Sequence, residues 1–314
     1  MQWSNVQELD VPTAIARTRA IVRTVEESQL PWVATTLVSG PALVMGALQR
    51  EERVRWRYRD LGVYPAETRA TTGTSLLVSK TAIQQLIVVP MVHALYSDAN
   101  PANFINRSVR GLLRAYNAIG ARGHYFGREH FTLSRRPAGV LGVDVTLGGA
   151  WILEAWVGVE EPAPLDGFRN HAPIALREAL REAQSKRADD TALGLAERLH
   201  QKLRGAFAVA AAERAGEEPP AIGAQLSPPV VNQGWEFVSR EVPIGELELG
   251  RRGREYCFRG DLMCSVDRAL RFEEQLAHQD LRDAVDAFSG APFEGAQLAD
   301  LQALLWKLEP TRTS

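Results

Sequence analysis

The stretch of this sequence best suited to holding a ligand is Arg69-Ala70-Thr71-Thr72-Gly73-Thr74-Ser75, which runs directly into the apolar Leu76-Leu77-Val78. Small residues between two extended segments let backbone approach a flat or anionic group, with N–H groups and hydroxyls facing it. Arg69 adds a planar fork shaped for a carboxylate or a phosphate. By itself the stretch also fits a Thr-rich turn of a β-meander with an arginine on its rim. Two further clusters carry chemistry-bearing side chains, Gly127-Arg128-Glu129-His130 and Arg135-Arg136. A lone histidine beside a strand, such as His130, is ordinarily structural. His93, His124, His171, His200 and His278 show no metal-ligand spacing, so no metal site is expected. No Gly-x-Ser-x-Gly elbow and no Walker-type glycine loop occurs. Arg251-Arg252-Gly253-Arg254 reads as a solvated hairpin turn, with a docking surface for an acidic domain as the alternative. Asp144 lies on a strand whose facing the sequence leaves open.

The chain that must position these groups has 314 residues, 45% hydrophobic and 24% charged, with a formal net charge of −2. That composition suits one large soluble domain, or one large and one small, and gives no general attraction to nucleic acid or an anionic membrane. The two cysteines, Cys257 and Cys264, suit neither a zinc site nor a disulfide framework, and a reducing, cytoplasmic setting fits them. The opening residues form no signal peptide, and the longest apolar run, near Leu86 to Leu95, is too short to span a bilayer.

Hydrophobic periodicity predicts an amphipathic helix over 11–28, with Asp10 as its cap and Pro12 in its first turn. Strands follow over 32–38 and 42–46, joined by a turn at Ser39-Gly40-Pro41, then a short surface helix over 51–59. Tyr64 to Thr68 leads back into a sheet, and 85–90 forms another strand. A strong helix over 100–120 ends at Gly120. Strands are expected at 125–133, 142–145 and 150–157, the last returning through Leu147-Gly148-Gly149. Residues 173–215 predict two helices broken near 186–190. The Pro- and Gly-rich 215–229 marks a boundary, and the tail has strands near 235–238, 246–249 and 255–258 and helices near 265–276 and 295–308.

In this order, several segments resemble the lipoate–protein ligase branch of the biotin/lipoate ligase superfamily. Leu43-Val44-Met45-Gly46, with Gln49 three residues on, is similar to that family's apolar strand ending in glycine. Arg69 to Ser75 is similar to its Arg-Arg-Ser-Ser-Gly-Gly-Gly stretch. Gly127-Arg128-Glu129-His130 stands where the family has Gly-Arg-Asn-Asp, and Arg135-Arg136-Pro137-Ala138-Gly139 where it has Arg-Lys-hydrophobic-Ser-Gly. In the tail, Phe258-Arg259-Gly260-Asp261-Leu262-Met263, then Leu270, Phe272-Glu273 and Leu276, resembles the family's accessory domain. The resemblance implies an α/β (α+β) fold with a class II synthetase-like mixed sheet flanked by helices. It divides the chain into a catalytic-fold domain, residues 1–222, and a small α+β accessory domain, residues 223–314.

The resemblance also implies a chemistry. A medium-chain carboxylic acid, lipoate or octanoate, is adenylated by ATP with Mg2+, and its acyl group then passes to a lysine of a lipoyl carrier domain. Adenylation brings a carboxylate against a phosphate, so a fixed cation must offset their repulsion. Carried onto this sequence, that catalytic cation is Arg136. Arg69, Thr71, Thr72, Gly73, Thr74, Ser75, Gly46, Gln49 and Gly139 hold the acid, and Gly127, Arg128, Glu129 and His130 the nucleotide. Four departures stand out: Arg136 replaces a lysine, Thr74 and Ser75 replace two glycines, Glu129-His130 replaces Asn-Asp, and Gly148-Gly149-Ala150 replaces a His-Gly-Thr motif. Two readings follow. One is a ligase, or an acyltransferase using a preactivated donor. The other is a pseudo-ligase, a binding or scaffold protein that has lost adenylation. A cytoplasmic monomer is the simplest state in either case.

Overall fold

The computed structural model describes residues 1–127, 129–163, 172–207, 214–215, 234–242, 245–278 and 298–308. Its centre is a mixed nine-stranded sheet. The strands are β1 (Gln2–Trp3), β2 (Gln7–Asp10), β3 (Trp32–Ser39), β7 (Thr81–Val89), β8 (Gly123–Tyr125), β9 (His130–Leu133), β10 (Arg136–Val145), β11 (Trp151–Gly158) and β12 (Arg214–Ala215). They lie in the order β12-β1-β3-β7-β11-β10-β9-β8, with β2 parallel beside β3. Three short strands, β4 (Ala42–Met45), β5 (Ala66–Thr68) and β6 (Leu76–Val78), form a second sheet.

Alternation along the central strands gives the large sheet two buried faces. On one face Leu37, Ile83, Ile87, Leu141, Val143 and Leu153 pack beneath three helices, α3 (Phe104–Ile119), α4 (Leu176–Glu182) and α5 (Ala192–Phe207). The other face is covered by α1 (Val11–Ser28) and by the inner side of the β4–β6 sheet. Asp10 caps α1 by accepting from Thr13 N at 2.9 Å, which satisfies one of the amides the first turn leaves bare. Gly120 ends α3 in the left-handed conformation.

Beyond these layers, β13 (Glu236–Val242), β14 (Gly245–Arg252) and β15 (Glu255–Gly260) form an antiparallel sheet. It packs with α6 (Val266–Ala277) and the helix Leu298–Leu308 around Leu249, Phe258, Phe272 and Leu304. Ala47 and Leu48, just after β4, are buried in that same cluster. The boundary expected over 215–229 lies outside the described residues apart from Ala215.

Three expectations change. The single strand over 125–133 is a hairpin of β8 and β9, bent where Gly127 takes φ +74°. Strand β10 begins at Arg136 rather than Gly142, because Ser134 and Arg135 make a tight turn and Pro137 is absorbed at a register shift between Pro137 and Gly139. Strand β7 starts at Thr81. Among the described residues no helix is long and apolar enough to cross a membrane.

Candidate functional site

The loop between β5 and β6 is the most densely organised polar region on the α1 face. Arg69 begins it and is 1% exposed. Its Nη2 donates to the carbonyls of Thr72 at 2.9 Å, Thr74 at 3.0 Å and Leu141 at 3.3 Å. Its Nε and Nη1 are buried and meet no acceptor among the described residues. Two glycines make room for the guanidinium: a Cβ on Gly73 would stand 2.7 Å from Arg69 Nη2, and one on Gly142 would stand 3.0 Å from Arg69 Cζ. Burial pushes the guanidinium down to about 10, with the Glu154 charge opposing the shift, so Arg69 is a cation at neutral pH. Two orphaned donors on a buried cation are expensive, on the order of 1–3 kcal/mol each. Both nitrogens are closed off from solvent here, so a carboxylate or phosphate would reach them by displacing part of the loop.

Beside Arg69 lies a closed acidic group. Glu154 is fully buried on β11, accepting from Thr71 Oγ1 and from Gln84 Nε2, both at 2.5 Å. Gln84 in turn donates to Thr18 of α1 at 2.9 Å. The sequence reading missed Glu154, Gln84 and Thr18. A carboxylate in the middle of the apolar run Trp151–Val157 was the signal that could have found Glu154, because such a group needs partners from elsewhere in the chain.

The same loop is fastened to the C-terminal layers. Thr72 Oγ1 is within 2.7 Å of the carbonyls of Val143 and Cys264 and accepts from Cys264 N at 3.0 Å. Asp144 Oδ1 accepts from Val145 N at 2.8 Å and from Val266 N, the first amide of α6, at 2.9 Å. Burial raises Asp144 to about 7, opposed by those two amides. Gly46 packs on Gly73 so closely that a Cβ would lie 2.1 Å from the Gly73 carbonyl. Gln49 receives Gly46 N at 2.8 Å and donates to Asp261, which also takes Arg57 at 2.9 Å and Glu246 N at 2.9 Å. Gly46, Gln49 and the whole Arg69–Ser75 stretch are thus brought together, with Ser75 Oγ 3.4 Å from Tyr58 Oη behind them.

Arg136 is not brought to this loop. Its Nε donates to Ala172 O at 3.0 Å and its Nη2 to Pro173 O at 2.9 Å. Its Nη1 bridges Glu178 at 2.7 Å and Glu182 at 3.0 Å. Those carboxylates sit on α4, whose apolar side packs with Leu141 and Val143, whereas the loop covers Gly142 and meets Glu154. The large sheet lies between them. Next to Arg136, Pro137 supplies no cation. Gly139 stands against the Phe131 ring, which a Cβ would meet at 2.1 Å, and is also apart from the loop. Gly127 is exposed in the β8–β9 turn, and Arg128 lies outside the described residues. Glu129 and His130 are buried, with His130 Nδ1 3.4 Å from Glu129 Oε1. Their inward setting is a poor fit to a magnesium-bound nucleotide, which needs open oxygen ligands.

The layer order, the small sheet over the α1 face and the added C-terminal layer define the lipoate/biotin protein ligase fold. Among solved structures the chain is similar to P. falciparum LipL1, determined in complex with lipoate, with a TM-score of 0.62 at 9% identity, covering 98% of this chain and 100% of that one. A lipoate-protein ligase A bound with ATP gives 0.43 at 12% identity over 66% of this chain and 95% of its own. A biotin protein ligase from Leishmania major with biotin gives 0.40 at 10% identity over 79% and 94%. No family model matches the chain, and no curated protein matches it in sequence. The likeness to LipL1 establishes the fold, the expected mixed sheet flanked by helices.

Proposed function

We propose that this chain is a pseudo-ligase: a protein of the lipoate–protein ligase fold that binds a medium-chain carboxylic acid and does not adenylate it. The observation that carries this reading is the separation of the two arginines. Adenylation requires a cation between carboxylate and α-phosphate. Arg136, which the resemblance puts in that role, has its donors engaged by α4 and by the carbonyls of residues 172 and 173, across the sheet from the loop. Arg69 keeps two spare donors beside the loop, as holding a carboxylate requires.

In this reading Arg69 orients the acid head group, and Thr71, Thr72, Gly73, Thr74 and Ser75 supply close-approaching backbone and hydroxyls. Glu154, closed by Thr71 and Gln84, keeps the guanidinium charged despite its burial. Among the described residues no nucleophile is poised there. The Cys264 thiol, backed onto Thr72, is held protonated by burial. ATP and Mg2+ supply the activating chemistry in a working ligase of this fold. Here Glu129, His130 and Arg136 fit neither group. A lipoyl carrier domain is the macromolecular partner that the family resemblance of the sequence implies.

The test is intact-mass spectrometry of a lipoyl carrier domain incubated with the protein, ATP, Mg2+ and octanoate or lipoate, alongside thermal melting with each small molecule. The reading expects no mass shift on the carrier, stabilisation by the acid and none by ATP. A mass shift would restore the ligase reading. Absence of stabilisation by either acid would remove the acid-binding role.

A further inference from the structure

A cationic cleft opens at the far end of the β8–β9–β10 meander, away from the Arg69 loop. It is about 620 Å³ and is lined by Arg122, His124, Ser134, Arg135 and, from the end of α4, Glu182 and Gln184. Arg122 lies across the hairpin from Ser134, whose N donates to the Arg122 carbonyl at 2.9 Å, so Arg122 and Arg135 flank one turn. Neither guanidinium has an acceptor among the described residues. Glu182, the acid in the cleft, is engaged by Arg136 at 3.0 Å, which offsets its charge.

The backbone of this cleft carries a second, independent signal. Ser134 and Arg135 take φ +49° and +66°, and Gln184 opposite takes φ +53°. Gln184 ends α4, with Ser185 N donating to Leu180 O at 2.9 Å, so its left-handed backbone is an ordinary helix ending and the costly pair lining the cleft is Ser134-Arg135. A two-residue hairpin turn of this kind is unstrained with Asn-Gly, and Ser-Arg costs about 1 kcal/mol or more per residue by comparison. Strain of that kind gathers where a side chain must be aimed.

We infer that this cleft binds a phosphate group through the forks of Arg122 and Arg135. A carboxylate is satisfied by one fork, whereas a tetrahedral dianion offers oxygens to two at once, with the Ser134 hydroxyl and His124 as further donors. Phe126, 69% exposed and stacked on His124 at 6.3 Å, flanks the site with an aromatic surface for whatever bears the phosphate. The bearer is a small molecule or a phosphorylated protein segment, and the phosphate chemistry is common to both.

Calorimetric titration of the full chain with inorganic phosphate, methyl phosphate, a phosphoserine peptide and acetate tests this. Saturable binding of the three phosphates and none of acetate is expected, weakened at least ~10-fold in an Arg122→Gln, Arg135→Gln double variant with an unchanged circular dichroism spectrum. A Ser134→Asn, Arg135→Gly variant should melt at a higher temperature and still lose phosphate, separating the site from the stability of the turn. Tighter binding of the peptide than of methyl phosphate assigns the bearer to a protein segment, and equal binding assigns it to a small molecule. No saturable phosphate binding by the unmodified chain, or equal affinity in the double variant, would overturn the inference.

Discussion

Arg69 and Arg136 carry the same planar fork in opposite settings. Arg69 is buried, with one nitrogen shared among three carbonyls and two left over. Arg136 lies at the start of β10, partly exposed, with each of its nitrogens engaged, two carboxylates among the acceptors. A structural arginine is expected to look like the second, since pairing it is easy at the surface. An arginine that looks like the first carries an uncompensated penalty, which a bound anion would relieve. The comparison teaches that the arginine offered by the resemblance as a catalytic cation is paired as a scaffold residue is, whereas the arginine before the Thr-rich run is left with two unpaired donors.

Substitutions can break or sharpen that contrast. The largest effect is expected at the packing that encloses Arg69. Gly46→Ala places a methyl 2.1 Å from the Gly73 carbonyl, where only backbone can yield, and should cost about 3 kcal/mol or more in chemical denaturation. A cost under about 0.5 kcal/mol would show that the loop is not held as described. Arg69→Met should abolish stabilisation by octanoate while leaving unliganded stability within about 1 kcal/mol, since an apolar isostere removes two orphaned donors as well as three bonds. If octanoate still stabilises the Met variant, Arg69 is not the acid holder.

The junction of the loop with α6 gives a pH signature. Asp144 is raised from 3.8 to about 7, so between those values the folded chain binds more protons than the unfolded one, and its stability falls as pH rises. Asp144→Asn keeps an acceptor for the amides of Val145 and Val266 and removes the charge. Relative to the unmodified chain it should gain about 3 kcal/mol between pH 4 and pH 7, levelling off above. Parallel stability curves for the two proteins over that range would contradict the buried, raised carboxyl. His200, lowered to about 4 by burial and by Arg204 and Arg17, pushes the overall curve the other way, so the difference between the two proteins is the quantity to read. The smallest effect belongs to Arg136→Ala, which should cost about 1 kcal/mol through two partly exposed ion pairs and leave octanoate stabilisation unchanged. Loss of acid binding in that variant would return Arg136 to the site.

Much of the architecture was legible in residue order. Helix α1 is read directly from Asp10, Pro12 and the stripe from Val11 to Val25, because caps and 3.6-residue periodicity are local properties. The same holds for α3 with Gly120, for the breaks around α4 and α5, and for the strands of the C-terminal sheet. The β8–β9 division was missed because Gly127 breaks a run whose residues on both sides suit a strand. The early start of β10 was hidden by Pro137, a residue that normally argues against a strand interior.

The sequence by itself determined most of the helices and strands, the lipoate ligase manner of folding, and that Arg69 to Ser75 is a place of close backbone approach. Only the tertiary structure decided which charged groups meet. The side on which Arg136 emerges depends on the tight turn before it and the register shift just beyond it, and a one-residue change in phase turns a strand residue to the opposite face. The partnership of Thr71 and Gln84 with Glu154, and of Thr72 and Asp144 with residues 264–266, joins positions far apart in the chain, a pairing that no local periodicity records.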